Sequence, residues 1–326
     1  MNQDTMNPNW HQHNFRAMGC QMSVSLELEE AAQAQDLLYQ AERLFAAAER
    51  RLTRFHPESE LSRLNARPGD WVPVSSVLWQ VVQQAIWLAE ETDGLYDPTV
   101  LAAVEAAGYT HSFDPWQRNG SPTAFTPSAT PLFGQWQLVE LDASRHAIRL
   151  PHEVRLDLGG IGKGYTAQQV VAFLKHWGPC LVDAGGDVTA GDAPMGQPGW
   201  PVAISAPWTG DDQQPVALFT LWLANGTIAT SGVDYRWWRQ NGRKNHHLID
   251  PRTGLPAQTD VRTVSVLSAS GMRAEAWATA ALVAGVDEGL QQLLYHDLAA
   301  AFVTQSGEVR LTEKMVPFAA AMPQAL

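Results

Sequence analysis

The sequence has few cysteines, no long apolar run and no excess of basic residues. Its two cysteines, Cys20 and Cys180, lie in different segments. They therefore predict neither a disulfide framework nor a zinc site, and they suit a reducing compartment. No run approaches the roughly 20 apolar residues that a membrane span needs. With 34 acidic and 22 basic residues the formal charge is -12, which argues against a surface that binds nucleic acid or an anionic membrane.

The N-terminal segment, residues 1–16, is polar and lacks the apolar stretch of a signal peptide. The following residues 17–20 resemble a lipoprotein cleavage site only faintly, because no apolar stretch precedes them. We therefore expect a soluble, cytoplasmic protein. Residues 1–13 are expected to form a flexible arm, and residues 14–326 a single large domain. Within that domain, residues 113–133 are rich in Pro, Ser, Thr, Gly and Asn and predict a surface loop or insertion.

The pattern of apolar residues predicts both helices and strands. Spacing of i, i+3 and i+4 predicts helices at 31–52, 76–91, 100–107, 165–176, 273–284 and 287–295. Alternation predicts strands at 22–28, 154–158, 180–184, 202–204, 216–223, 262–267, 298–304 and 309–312, and a hairpin at 136–141 and 147–150. Since strands and helices do not alternate regularly, we expect an α+β fold of mixed sheets with flanking helices.

A glycine-rich stretch, residues 157–165, lies between the predicted strand at 154–158 and a predicted helix. Its glycines allow the backbone to approach a ligand closely, and the free N–H groups of the helix start favour an anion. Asp157 and Lys163 flank that position. The stretch fits neither the phosphate-binding P-loop nor the dinucleotide fingerprint. A tight turn with a surface lysine explains this segment equally well when it is taken alone.

Two further patterns offer chemistry. Glu275 and Thr279 lie one helical turn apart, so their oxygens can serve one Mg²⁺. The alternative is a solvated Glu and a Thr that bonds back into its own helix. The pair His246-His247 can supply a general base near neutral pH, although such a pair is more often structural, and its spacing does not suit zinc.

Together these segments resemble the ApbE-type FAD:protein FMN transferases. The resemblance rests on eight motifs in one order: Met18-Gly19, residues 54–65, residues 94–100, residues 157–165, residues 183–187, residues 229–232, residues 247–254, and the pair Glu275 and Thr279. It implies a single ApbE-like domain. It also implies an enzyme that transfers FMN from FAD to a Thr or Ser hydroxyl of an acceptor flavoprotein and releases AMP, with Mg²⁺ bridging the FAD pyrophosphate.

The same resemblance implies the site residues. His247 is expected to activate the acceptor hydroxyl, with Lys163 neutralising charge. The metal is expected on the backbone carbonyl of Gly160 and the side chains of Glu275 and Thr279. The FAD site is expected to be lined by Met18, Phe55, Ala107, Gly108, Tyr109, Asp157, Lys163 and Ile249.

Two positions depart from the family pattern, which usually has Asp at position 275 and Thr at position 20. Because Glu275 is one methylene longer than Asp, the metal could be displaced, bound through water, or weak. We expect that Glu275 still binds it, with its helix shifted to make room. Two other functions therefore stay open: a non-catalytic FAD-binding or flavin-carrier protein, and a metal-dependent FAD pyrophosphatase that gives FMN and AMP without an acceptor.

Overall fold

A computed structural model describes residues 9–112, 133–207, 216–240 and 242–320. Within these ranges the helices are α1 (Ala31–Leu52), α2 (Glu60–Asn65), α3 (Ser76–Glu91), α4 (Leu101–Ala106), α5 (Gly162–Leu174), α6 (Gly271–Ala284), α7 (Val286–Tyr295) and α8 (Val316–Ala320), with a 3₁₀ turn at Gln135–Leu138. The predicted loop at 113–133 lies, apart from Phe133, outside the described residues.

The strands in the same ranges are β1 (Trp10–Ala17), β2 (Cys20–Glu27), β3 (Trp71–Pro73), β4 (Glu140–Asp142), β5 (Ala147–Arg149), β6 (Cys180–Ala184), β7 (Asp187–Ala190), β8 (Trp200–Ser205), β9 (Ala217–Leu223), β10 (Gly226–Gly232), β11 (Trp237–Gln240), β12 (Arg243–His246), β13 (Ile249–Asp250), β14 (Leu255–Pro256), β15 (Val261–Ser268), β16 (Ala299–Thr304) and β17 (Val309–Leu311).

One sheet of eight strands organises the molecule, in the order β1-β2-β6-β7-β10-β15-β16-β17. Every neighbouring pair in it is antiparallel. A three-stranded sheet β3-β5-β4 and the pairs β8-β9, β11-β12 and β13-β14 surround it. The expected α+β architecture is thereby confirmed.

The central sheet is covered on both faces. In β16, Ala300 and Phe302 belong to the core cluster that contains the apolar residues of α3 and α6. The alternate residues Ala299 and Ala301 pack with the β8-β9 hairpin on the other face. This period of two is what a sheet buried on both sides requires. Helices α1 and α5 complete the helical layer against β2 and β6.

Local sequence signals set several of these elements. Helix α1 buries Leu37, Leu38, Ala41 and Phe45 on one face, as the i, i+3, i+4 spacing predicts. Helix α3 begins after Ser75, whose hydroxyl accepts a hydrogen bond from the backbone N–H of Leu78. Both helices have the predicted bounds.

Three expectations are wrong. The first arm of the hairpin predicted at 136–141 begins as the 3₁₀ turn Gln135–Leu138, and its strand starts only at Glu140. Residues 10–13 do not belong to a flexible arm but form the first half of β1, which pairs with β2 along its whole length; residues 1–8 lie outside the described part. Residues 154–158 are extended but form no strand. Their backbone is held by the Asn65 side chain at Leu156 and by the carbonyl of Pro98 at the N–H of Asp157. Alternation there reflects burial against these partners instead of pairing in a sheet.

Among the residues described, no helix combines the length and the apolar character that crossing a membrane requires.

Candidate active site

A cavity of about 1140 Å³ opens where the glycine-rich turn, the start of α5, the side of α6 and the end of β10 meet. It is lined by ten of the residues expected at the site: Met18, Phe55, Tyr109, Asp157, Gly160, Lys163, His247, Ile249, Glu275 and Thr279. Residues far apart in the chain thus converge on one space, which is what a nucleotide site requires.

The expected residues Ala107 and Gly108 do not line this cavity. Ala107 is fully buried, and its carbonyl accepts hydrogen bonds from Trp238 Nε1 at 2.7 Å and Asn245 Nδ2 at 3.1 Å. Gly108 has a φ of +99°, and a Cβ there would lie 2.9 Å from Trp238 Nε1. These two residues therefore support the wall from behind, while their neighbour Tyr109 faces the cavity.

Helices α5 and α6 approach each other through two glycines. A Cβ on Gly164 would lie 2.5 Å from the backbone carbon of Gly271, and one on Gly271 would lie 2.7 Å from the backbone oxygen of Gly164. No side chain fits between the two backbones at such distances. Glycine at these positions therefore allows Glu275 of α6 to reach the first turn of α5.

The charged group at the bottom of the cavity is the Lys163 cluster, which we define as Lys163, Asp187 and Glu275. Lys163 Nζ lies 2.6 Å from Asp187 Oδ2 and also forms an ion pair with Glu275 Oε1. Glu275 Oε2 accepts the backbone N–H of Gly164 at 2.7 Å. The side chains of the cluster are 15%, 9% and 4% exposed, in that order. A buried lysine is thus neutralised by two carboxylates.

Burial and neighbouring charge shift the pKa values in this cluster in a coupled way. Burial by itself lowers the pKa of Lys163, but Asp187 and Glu275 outweigh it and raise that pKa, so the lysine stays charged. Burial raises the pKa of the Glu275 carboxyl and Asp187 adds to the rise, while Lys163 opposes it. These opposing shifts arise because Asp187 and Glu275 repel each other while both attract the ammonium of Lys163.

Thr279 does not bond back into its own helix. Its hydroxyl lies 3.1 Å from the hydroxyl of Ser231 on β10, so it faces the cavity beside Glu275. On the same strand, the backbone N–H of Thr230 donates to Asp187 Oδ1 at 2.8 Å. Strand β10 thus fixes both the threonine of the predicted metal pair and the carboxylate that holds Lys163.

The aromatic part of the wall is arranged around Arg54. Its Nε donates to Asp157 Oδ2 at 2.9 Å and its Nη2 to the carbonyl of Tyr109 at 2.8 Å. The guanidinium carbon lies 4.1 Å from the ring centre of Phe55 and 4.9 Å from that of Tyr109. Asp157 also accepts the N–H of Gly159 at 2.8 Å. Arg54 and Asp157 therefore connect the glycine-rich turn to the aromatic rings.

Three polar atoms of cavity-lining residues have no hydrogen-bond partner within the described parts of the chain: Tyr96 Oη, Asp97 Oδ2 and His247 Nδ1. Burial raises the pKa of Asp97 to about 6. Burial, with the positive charges of Arg236 and Lys163, holds the pKa of His247 well below its usual 6.5. Because buried polar atoms are normally bonded, these three atoms leave hydrogen-bonding capacity unused beside the cavity.

Comparison with known proteins decides the family. The family model described as the ApbE family matches residues 18–302, most of the chain. This chain belongs to the ApbE family. It is therefore placed among enzymes of the transferase class, as the resemblance of its motifs implied.

Relatives of the family match along most of the chain. A FAD:protein FMN transferase of Treponema pallidum is 30% identical over 307 residues, which is 88% of this chain and 82% of that protein. A FAD:protein FMN transferase of Salmonella typhimurium is 27% identical over 302 residues, covering 90% of this chain and 84% of that protein.

Solved structures share the fold. The crystal structure of the ApbE protein of Thermotoga maritima superposes with a TM-score of 0.83 at 24% identity, covering 95% of this chain and 99% of that one. The flavin transferase ApbE from Vibrio cholerae gives a TM-score of 0.78 at 24% identity, covering 95% and 99%. The expected ApbE-like fold is thereby confirmed.

In this ApbE-family protein the predicted magnesium ligands are all oxygens, as Mg²⁺ prefers. Across the ranges that the structure describes, no three His, Cys, Asp or Glu side chains are grouped as a metal site. The predicted set of Gly160, Glu275 and Thr279 contains a single carboxylate. Each carboxylate oxygen of Glu275 already accepts one hydrogen bond, Oε1 from Lys163 and Oε2 from the N–H of Gly164. Since a carboxylate has about four lone-pair positions, it retains capacity for a cation, and the set fits Mg²⁺.

Three residues that line the cavity were assigned no role from the sequence. Asp187, Ser231 and Arg236 lie in or beside short strands, and only their contacts across the fold bring them to the cavity. Asp187 closes the motif at 183–187, which signalled the family but gave no role to its carboxylate. Arg236 lies in a polar segment between β10 and β11 and has no pattern around it.

Proposed function

We propose that this protein transfers FMN from FAD to a Thr or Ser hydroxyl of an acceptor flavoprotein and releases AMP. The observation that carries the proposal is the convergence of the glycine-rich turn, Glu275 and Thr279 on one cavity of about 1140 Å³. That volume slightly exceeds the roughly 300–1,000 Å³ of common small-ligand sites. It suits a dinucleotide, and relatives in the family bear this activity in their names.

The proposed reaction moves one phosphoryl group. The acceptor oxygen forms a bond to the phosphorus on the riboflavin side of the FAD pyrophosphate. The bond from that phosphorus to the bridging oxygen breaks, AMP leaves with the bridging oxygen, and the hydroxyl proton passes to a base. Such transfer asks a protein mainly to position the two partners and to stabilise spreading negative charge.

His247 is the proposed base. Its ring lines the cavity and its Nδ1 has no hydrogen-bond partner in the described structure, so it is available to accept a proton. Because its pKa lies well below 6.5, the imidazole is neutral at pH 7 and able to accept the hydroxyl proton. The side chain of Tyr109, 6.2 Å away between ring centres, packs beside it and orients it.

We place Mg²⁺ on the carbonyl of Gly160, the carboxylate of Glu275 and the hydroxyl of Thr279. When bound, the ion supplies positive charge to the pyrophosphate. The Glu275 carboxylate, shared with Lys163 and the N–H of Gly164, is held in one position by these partners. Lys163 thus acts in the proposal mainly by orienting Glu275 and balancing two carboxylates.

The ring systems of FAD are proposed to contact the aromatic and apolar part of the wall. Phe55 and Tyr109 stand 5.6 Å apart between ring centres, and Met18 and Ile249 also line the cavity. Flat rings stack favourably on such side chains. We further propose a cytoplasmic acceptor, in keeping with two free, buried cysteines.

The test is to incubate the purified protein with FAD, Mg²⁺ and a domain that carries a Thr acceptor, and to follow intact mass and AMP. We expect the domain to gain one FMN. His247→Ala should slow transfer by roughly 10²–10⁴-fold, the usual contribution of a general base, and Thr279→Ala should raise the Mg²⁺ concentration that is needed. His176→Ala, an exposed histidine just after α5, is the matched control and should transfer at the parental rate.

Two outcomes would replace the proposal. FMN and AMP formed without any acceptor would show a pyrophosphatase. Bound FAD without AMP release would show a flavin carrier. The observation that favours this second candidate is the ion pair of Glu275 with Lys163, because the ammonium competes with a metal ion for the same carboxylate.

A further inference from the structure

Three lysine or arginine side chains of the described structure line the cavity: Arg54, Lys163 and Arg236. Two of them are paired with carboxylates. Arg54 bonds Asp157 at 2.9 Å, and Lys163 bonds Asp187 at 2.6 Å and also Glu275. These two cations therefore have their charge balanced without a ligand.

Arg236 differs from both. Within residues 9–112, 133–207, 216–240 and 242–320, no carboxylate lies within ion-pair distance of its guanidinium. The contact that the structure shows for this group is a hydrogen bond from Nη2 to the Sγ atom of Cys20. A thiol is a weak acceptor, so most of the donors of this guanidinium remain available.

The surroundings of Arg236 are largely closed. The side chain is partly buried and forms part of the cavity wall. Cys20, which contacts the guanidinium, is itself packed against Gly185, where a Cβ would lie only 2.9 Å from Cys20 Sγ. Tyr109 and His247 line the same cavity. Burial opposes the charge of Arg236, while neighbouring groups, Asp187 among them, favour it from a distance. An anion that enters the cavity would add the direct charged hydrogen bonds that the guanidinium lacks.

We propose that Arg236 forms an anion subsite that binds a phosphate group of the donor nucleotide. The guanidinium presents several N–H groups in a plane, which matches two oxygens of one phosphate. This proposal depends on the proposed function in one respect only, because it assumes that the bound nucleotide is FAD. It assigns the contact with phosphate to Arg236, whereas the sequence pointed to Lys163, whose ammonium is already held by two carboxylates.

Binding without any acceptor tests this subsite. Flavin fluorescence gives the affinity for FAD and for riboflavin, which has no phosphate, and calorimetry gives the affinity for inorganic pyrophosphate. Arg236→Gln should weaken FAD and pyrophosphate by roughly 10- to 100-fold, as the loss of charged hydrogen bonds implies, and should leave riboflavin within about twofold. Arg236→Lys, which keeps the charge, should recover part of the loss.

Arg239→Gln is the matched control, because Arg239 is exposed on β11 and does not line the cavity; its affinities should equal the parental ones. Thermal melts establish that each variant is folded. Equal weakening of riboflavin and FAD, or unchanged FAD binding in Arg236→Gln, would overturn the subsite. So would a parental protein that binds neither FAD nor pyrophosphate. If the parental protein binds both ligands and loses them in Arg236→Gln but transfers no FMN, the subsite stands and the proposed transferase reaction fails.

Discussion

Two charged regions of the cavity are built in opposite ways. In the Lys163 cluster every charge has a partner: one ammonium between two carboxylates, with the N–H of Gly164 on Glu275 and that of Thr230 on Asp187. In the Arg236 corner, defined as Arg236, Cys20 and His247, the guanidinium contacts a thiol and the imidazole Nδ1 is unpartnered in the described structure.

The difference suggests two roles: the charges of the Lys163 cluster bind one another, whereas the charge of the Arg236 corner is available to a ligand. The Lys163 cluster is complete in the free protein and holds Glu275 in place. In the described structure the Arg236 corner has no carboxylate in ion-pair contact, so an anion that binds there would add stability. A ligand that spans the cavity would compete with existing pairs in the first region and supply missing ones in the second.

The largest expected effect is on the free energy of unfolding, and it differs in size between the two regions. Lys163→Met leaves Asp187 and Glu275 buried without a cation, and removing one partner of a buried pair costs about 3–5 kcal/mol of the free energy of unfolding. Arg236→Met removes a charge that has no carboxylate, so we expect a change within about 1 kcal/mol or a gain in stability. Urea unfolding without ligand measures both.

Lys175→Met serves as the control for the lysine, because Lys175 is exposed after α5. Equal losses in Lys163→Met and Arg236→Met would abolish the distinction between the two regions. Adding FAD should stabilise the parental protein more than it stabilises Arg236→Met.

A second effect concerns how the Lys163 cluster is assembled. Gly164→Ala inserts a Cβ against the backbone of Gly271, so it should push α6 and Glu275 away and cost about 1–3 kcal/mol, as overpacking does. Gly162→Ala in the same helix meets only Leu52 Cδ1 at 3.9 Å. It should be neutral or stabilising, since alanine favours helix over glycine by about 1 kcal/mol. A Gly164→Ala variant as stable as Gly162→Ala would contradict the proposed close contact.

A third, smaller effect comes from Asp97, whose Oδ1 accepts the N–H of Thr99 at 2.7 Å while its Oδ2 is unpartnered. Its folded pKa of about 6 exceeds the 3.8 of an ordinary aspartate, so the unfolded chain ionises first as pH rises. Stability is therefore lost between pH 3.8 and about 6. Asp97→Asn should remove this loss and raise the free energy of unfolding at pH 7 by up to about 3 kcal/mol.

Unfolding of the parental protein and of Asp97→Asn, followed from pH 4 to pH 8, measures the difference. It should be small at pH 4 and grow as pH rises. A difference that does not vary with pH would show that the carboxyl of Asp97 is not destabilised when ionised.

Much of the fold could be predicted because its signals are local. The bounds of α1 and α3 follow from one-faced apolar spacing and, in α3, a serine cap. Strand β1 could not be predicted, because Trp10–Ala17 is polar and half exposed at a sheet edge, where pairing with β2 fixes it. Residues 154–158 alternate like a strand but bond to Asn65 and Pro98, partners that alternation does not reveal.

The candidate site also has a part that local sequence signals predict and a part that depends on distant contacts. The pair Glu275 and Thr279 was visible because helical spacing places both on one face, and both line the cavity. The charge balance was not visible, since Lys163 meets Asp187 and Glu275 only through the crossing of helices and strands. The proposed role of Arg236 depends on the absence of a carboxylate partner in the described structure. A sequence pattern cannot show such an absence.

The central claim is that one dinucleotide spans both regions of the cavity, and a crystal structure of the protein soaked with FAD and Mg²⁺ tests it most directly. The account predicts FAD in this cavity, with its diphosphate bonded to the Arg236 guanidinium and Glu275 turned to a metal ion. FAD bound elsewhere, or bound here with its diphosphate away from both Arg236 and Glu275, would contradict it.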